Sequence, residues 1–162
     1  PTLVICGSCS PVTAEQIGAA ASAGFDVLSL RDATDEQLIH RAAMALQQRR
    51  SVVIHTDPAD RVPDSDKADL RARLAQLTRQ VVVAGDRPRL LAAGGDTSGD
   101  IAAALELSSL RMIAPLVRGA PLCVARSTLP EIDGLEIVFK GGQIGSPVFF
   151  DEVRRGRAGG VR

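Results

Sequence analysis

Short runs of β-branched and aliphatic residues alternate along this chain with longer stretches whose apolar positions recur every three to four residues. That alternation predicts parallel strands joined by helices. Thr2 to Cys6 reads as the first strand. Thr13, with Gln16 three residues on, has the form of a capping box opening a helix that closes at Gly24. "FDVLSL" is the next strand. A second capping box, Thr34 and Gln37, opens a helix with Leu38, Ala42 and Leu46 on one face, running to about Arg49. "SVVIH" follows as a buried strand, and the Pro- and Asp-rich Thr56 to Asp64 as a loop. The next helix carries Leu70, Leu74, Leu77 and Val81. "VVVAG" fits the end of that helix or a strand; helix is favoured because Arg89 to Ala93 makes the better strand before a glycine turn. Ser98 to Leu107 is helical again, with Ile101 and Leu105 on one face. Leu110 to Ala114, Leu122 to Ala125 and Leu135 to Phe139 are then strand-like and joined by turns bearing Gly119, Pro121, Pro130 and Gly134.

The expected fold is a three-layer α/β/α domain whose mostly parallel sheet becomes mixed or antiparallel toward the C-terminus, where the strand–helix alternation stops. A chain of 162 residues is long enough for one self-sufficient core. One domain is therefore expected over residues 1–155, with 156–162 as a frayed tail. The chain opens "PTLV" directly on a strand-like run, which fits a piece of a longer protein as well as removal of an initiator Met.

Charge removes some partners. With 19 basic and 19 acidic residues there is no net attraction toward nucleic acid or an acidic membrane, and aromatic residues amount to 2%, too few for base-stacking platforms. No apolar run approaches the length of a membrane span. Three cysteines without a signal-peptide pattern fit a reducing, cytoplasmic setting.

In open α/β sheets, ligands bind beyond the carboxyl ends of strands, where loops feed helix N-termini. Three loops have that placement: "GSCS" at Gly7 to Ser10, "GGDTSGD" at Gly94 to Asp100, and "KGGQIGS" at Lys140 to Ser146. Gly94 and Gly95 permit close backbone approach, and free amides at a helix start near Thr97 or Ser98 suit a phosphate. The Gly94–Gly99 spacing imitates a P-loop, but Asp100 and Ile101 stand where that motif needs Lys and Ser or Thr. Neither a Walker A loop nor a GxGxxG fingerprint is present. Lys140, leading into Gly141 and Gly142, can face the same anion as the glycine amides; otherwise it is a solvent-facing strand-end charge beside a hairpin turn. Asp96 is either a local turn and capping residue or a ligand of Mg²⁺, direct or through water.

Cys6 and Cys9 form a C-x-x-C at a strand-to-helix junction, the setting of a redox dithiol. Pro11 and Thr13 are expected to delay the helix, which would place Cys9 outside its first turn. Cys123 and two separated histidines offer no second ligand pair at zinc spacing. Cys6 is expected to pack as a small apolar residue. His55 is expected to be a hydrogen-bonded filler at a strand end, His40 a surface residue, and Asp57 and Asp60 turn formers.

Taken together, "GSCSPVTAEQI", "AAGGDTSGDIAAAL", "APLVRGAPLC" and "IVFKGGQIGSPVFF" resemble the C-terminal nucleotide-binding domain of the four-carbon acid sugar kinases, a family of threonate, erythronate and oxo-tetronate kinases. The resemblance runs from Val4 to about Val153. It implies ATP as phosphoryl donor, Mg²⁺ as companion ion, and a sugar acid phosphorylated on its terminal hydroxyl. Carried over by position, Ser8 and Ser10 would contact the nucleotide, Gly94, Gly95, Asp96 and Thr97 would wrap its phosphates, and Gly141 and Gly142 would pack beside it. Cys9 would fill the variable place of a G-S-x-S stretch. Two departures stand out: "KGGQIG" replaces a pattern closer to K-S-G-G-F-G, and Asp100 puts a charge where a small residue is common. The resemblance also places the sugar-binding domain and the catalytic base upstream of this chain.

On this reading Asp96 and Lys140 are the catalytic candidates, Asp96 on the metal side and Lys140 beside the transferring group. Two rivals remain: a non-catalytic nucleotide-binding or regulatory module, and a C-x-x-C oxidoreductase. The sequence leaves the sugar acid and the oligomeric state open, a homodimer included.

Overall fold

The computed structural model describes residues 1–7, 10–56 and 64–156. Element order is β1 (Thr2–Cys6), α1 (Pro11–Ser22), β2 (Asp26–Ser29), α2 (Asp35–Gln47), β3 (Val52–His55), α3 (Asp64–Ala84), β4 (Arg89–Ala93), α4 (Gly95–Ala104), β5 (Leu107–Val117), β6 (Ala120–Ser127), β7 (Glu136–Lys140) and α5 (Phe149–Arg154). The strands form one sheet in the order β2-β3-β1-β4-β7-β6-β5. From β2 to β7 neighbours are parallel, while β6 and β5 pair antiparallel, giving the mixed sheet expected from the sequence.

Period-two alternation sends each strand's side chains into two separate cores. On one face Leu3, Ile5 and Ile54 pack with Leu38 and Leu46 of α2, Leu74, Leu77 and Val81 of α3, Ile101 of α4 and Leu105, the residue that caps α4. On the other, Val4, Cys6, Leu91 and Val138 pack with Ala20 of α1 and Phe149, Phe150 and Val153 of α5. Helices therefore cover both faces. From β1 the chain runs outward through α1 on the second face; from β4 it runs the opposite way through α4 on the first. The sheet changes winding direction between these two adjacent strands, the topological position where open α/β sheets hold ligands.

The Thr34–Gln37 capping box forms as expected, with both reciprocal hydrogen bonds present. The one expected at Thr13 and Gln16 does not. Helix α1 starts at Pro11, because proline's fixed φ and missing N–H suit the first helical turn, and Ser10 is the N-cap without a side-chain cap bond. Pro11 thus opens the helix and does not delay it. "VVVAG" is helical as far as Ala84. Helix α4 begins at Gly95, three residues before the expected Ser98, and β5 is an edge strand of 11 residues where a run from Leu110 to Ala114 was expected. Helix α5 has no counterpart in the sequence reading: its six residues are too few to show a period. Asp57, Asp60 and most of the Pro-rich loop lie outside the described residues, as do Ser8, Cys9 and nearly all of the expected tail.

Candidate functional site

The carboxyl ends of β1, β4 and β7 lie side by side. Ala93 is in register with Cys6 on one flank and with Lys140 on the other, so each loop leaves the sheet at the same level. Main-chain bonds continue past the strands: the Gly7 amide donates to the Ala93 carbonyl at 3.2 Å, and the Gly94 amide to the Lys140 carbonyl at 2.9 Å. The three glycine-bearing loops picked out from the sequence therefore meet at one edge.

Gly94 has φ 121°, a conformation L side chains rarely adopt, and it turns the chain abruptly from β4 into α4. The Ser98 amide makes the first helical bond, to the Gly94 carbonyl at 2.9 Å. The amides of Gly95, Asp96 and Thr97 precede that bond and point out of the helix start, carrying the positive end of the helix dipole. Gly95 is exposed, and a Cβ there would meet nothing within 4 Å, so no described side chain crowds the backbone at this turn. Gly7 stands against this turn. A Cβ on it would lie 2.1 Å from Thr97 Oγ1, so only glycine lets β1 and the start of α4 approach this closely.

The 140–146 loop is held from α1. Ser10 Oγ and Thr13 Oγ1 each donate to the Gly142 carbonyl at 2.9 Å. Gln16 Nε2 donates to the carbonyls of Ile144 at 3.0 Å and Ser146 at 2.9 Å, and its Oε1 is buried with no partner among the described residues. Thr13 and Gln16, both buried, thus spend their hydrogen bonds on a distant loop. The sequence reading missed this role. The signal was present in two polar residues one turn apart, Thr13 and Gln16, on the face of α1 that continues with the buried Ala20.

Lys140 is 2% exposed. Its Nζ donates to the carbonyls of Gly141 at 3.1 Å and Gly142 at 3.5 Å and lies 5.8 Å from the Phe150 ring centroid. Burial pushes its pKa below the ordinary lysine value. It is neither a solvent-facing strand-end charge nor, in this conformation, an open anion donor; its ammonium sits beneath the glycine loop.

Asp96 does not cap α4, whose N-cap is Gly94 without a side-chain bond. Its carboxylate is 83% exposed and 3.6 Å from Arg71 Nη1, and the same guanidinium holds Asp100 at 2.9 Å through Nε. Arg71 of α3 thereby gives the unexpected Asp100 charge a structural partner. Among the described residues no cluster of three His, Cys, Asp or Glu side chains is placed to enclose a metal. Cys6 is 1% exposed, and burial pushes its thiol up to about 12. A thiol held so firmly protonated is no redox nucleophile. His55 Nδ1 lies 3.2 Å from the Thr56 carbonyl and is the satisfied filler expected.

The family model described as "Nucleotide-binding C-terminal domain" matches residues 3–150. The chain belongs to this family. It is 40% identical over 183 residues to a 3-oxo-isoapionate kinase of Paraburkholderia graminis, an alignment covering 97% of this chain and 39% of that protein. Over 82 residues it is 37% identical to a 3-oxo-tetronate kinase of Cupriavidus necator, covering 51% of this chain and 18% of the relative. The nucleotide-binding domain therefore spans about two fifths of the first of these relatives. Among solved structures, a Bordetella bronchiseptica domain of unknown function, crystallised with citrate as a domain-swapped dimer, superposes with TM-score 0.79 at 21% identity, covering 96% of this chain and 40% of that one. A Haemophilus influenzae protein superposes with TM-score 0.70 at 20% identity, over 96% of this chain and 40% of its own. These two likenesses establish the fold.

Proposed function

We propose that this domain binds ATP in a kinase that phosphorylates a four-carbon sugar acid, a tetronate or a 3-oxo relative of one, on its terminal hydroxyl. The observation that carries the reading is the convergence of the Gly7, Gly94 and Gly141 turns at the switch point, pinned by the bond from the Gly94 amide to the Lys140 carbonyl. Gly94, Gly95, Asp96 and Thr97 would wrap the phosphates with main-chain amides. Gly141 and Gly142 would pack against them, and Ser10 would act by tying down Gly142. Ser8, outside the described residues, is assigned to the nucleotide by the family resemblance.

The residues present fit a triphosphate better than they fit a bare metal. Mg²⁺ is commonly bound through one or two carboxylates and the nucleotide's own phosphates, and Asp96, exposed at the helix start, is the carboxylate this chain would contribute, directly or through water. Mg²⁺ would supply charge neutralisation on the transferring group. The chain's own part is positioning: amides preorganised by the fold stabilise developing negative charge without having to reorient. The sugar acid and the base acting on its hydroxyl would come from the rest of the protein, which accounts for this domain's share of its relatives' length. The test is to assay the full-length protein for ADP release against a panel of tetronates and 3-oxo-tetronates. Turnover restricted to this class supports the reading; ATP binding without turnover on any of them would leave a nucleotide-binding module and overturn the kinase assignment.

A further inference from the structure

Helix α4 carries two carboxylates on one face. Asp96 and Asp100 are spaced one helical turn apart, so their side chains project toward the same neighbour. That neighbour is α3. The groove between the two helices is lined by Ala72, Ala75, Ala103 and Ala104 together with Arg71 and Asp100, and side chains this short let the helices approach closely. Arg71 is thereby brought against both carboxylates, but it serves them unequally. Its Nε donates to Asp100 Oδ2 at 2.9 Å, whereas its Nη1 lies 3.6 Å from Asp96 Oδ2, beyond hydrogen-bond length. Exposure follows the same order: 40% for the Asp100 side chain against 83% for Asp96.

A guanidinium is a rigid planar fork, so committing its Nε to one acceptor fixes where its other donors point. With Asp100 in place, the fork is turned to the second turn of α4, and Asp96 feels the charge without being bonded by it. Take Asp100 away, and Asp96 is the carboxylate already within ion-pair distance of the same fork. A small rotation of the Arg71 side chain would shorten 3.6 Å to a charge-assisted bond of about 2.8 Å. A carboxylate bonded in that way is a poor partner for a cation, because the guanidinium occupies its lone pairs and repels the arriving charge.

Resting on the reading that puts Asp96 on the metal side of the bound nucleotide, we propose that Asp100 is a positioning residue: by holding Arg71 it keeps Asp96 open to the Mg²⁺ that accompanies ATP. Asp100 touches neither the ion nor the phosphates in this scheme. Its effect passes through Arg71 to Asp96 and through no other group, which makes the three side chains one energetic unit with a definite order of dependence.

The test is calorimetry of the full-length protein with ATP, once in excess Mg²⁺ and once in EDTA, reading the ratio of the two affinities. Asp100→Ala should lower that ratio roughly twofold to fivefold, the range set by forming one exposed ion pair, and Asp100→Asn should lower it less, since its amide oxygen still accepts from Nε. Adding Arg71→Met to Asp100→Ala should restore the ratio. In an Asp96→Asn background, which itself lowers the ratio, Asp100→Ala should change nothing further. That last variant separates the proposal from a general field effect, because loss of one negative charge would act equally with Asp or Asn at position 96. Tm of each variant should stay within about 1–2 °C of wild type. If both Asp100 variants keep the wild-type ratio, or Asp100→Ala lowers it equally in the Asp96→Asn background, the inference falls alone. If Asp96→Asn keeps the wild-type ratio, the metal-side reading of Asp96 falls and takes the inference with it. If wild type binds ATP under neither condition, the nucleotide reading falls as well.

Discussion

Replacing Gly7 by alanine tests how the site is assembled, because the structure fixes what the added methyl would meet. It would lie 2.1 Å from Thr97 Oγ1, 3.1 Å from Thr97 Cγ2 and 3.2 Å from Thr97 Cβ. Thr97 is only 3% exposed and sits in the first turn of α4, so its side chain has little room to move away, and a χ1 rotation only exchanges the hydroxyl for the methyl. Overpacking of this kind costs about 1–3 kcal/mol. For a chain of this size that lowers Tm by roughly 2–4 °C per kcal/mol. The clash also forces the start of α4 away from β1, so ATP affinity should fall along with stability. Thr97→Ala removes Oγ1 and Cγ2 and leaves only the contact with Cβ; Gly7→Ala should therefore cost far less in that background. Thr97→Val keeps a methyl group where Oγ1 was and should give no relief. Thermal unfolding of the three single and two double variants against wild type checks this pattern. Equal losses in the Thr97 wild-type and Thr97→Ala backgrounds, or no loss in either, would show that close approach of β1 to α4 is not what demands glycine.

Other expectations follow from the same geometry. On the proposed kinase reading, Thr13→Val, which removes one of the donors to the Gly142 carbonyl, should raise the KM for ATP severalfold with kcat less affected, since loosening a binding loop lowers uniform binding first; steady-state kinetics of the full-length protein would show it. Asp96→Asn leaves an exposed side chain that makes no cap, so Tm should stay within about 1–2 °C because exposed ion pairs contribute little, while the phosphoryl-transfer rate falls by orders of magnitude; an unchanged rate would remove Asp96 from the metal side. Cys6 should resist alkylation in the native protein at neutral pH, as peptide mapping after iodoacetamide treatment would reveal. Because its thiol is raised from 9.0 to about 12, it contributes stability below pH 9 that is lost as pH climbs toward 12, and Cys6→Ala should flatten that alkaline decline in a denaturation series.

Local physics is what a sequence carries most openly. The two hydrophobic periods determined the α/β class, the places of β1 to β4, and the glycine loops at strand ends. The Thr34–Gln37 box worked because both of its bonds lie within a few residues of each other. The same pattern at Thr13 and Gln16 misled, because the residues they bond are 128 to 130 positions away in the chain and no local rule ranks a distant carbonyl above a neighbouring amide. For the same reason only the tertiary structure decided that β1 lies between β3 and β4, that Gly7 abuts Thr97, and that Lys140 turns inward beneath its own loop. Strand order and register set those contacts. A strand-end lysine before two glycines looks alike in sequence whether it meets solvent or, as here, the buried face shared with Cys6 and Phe150.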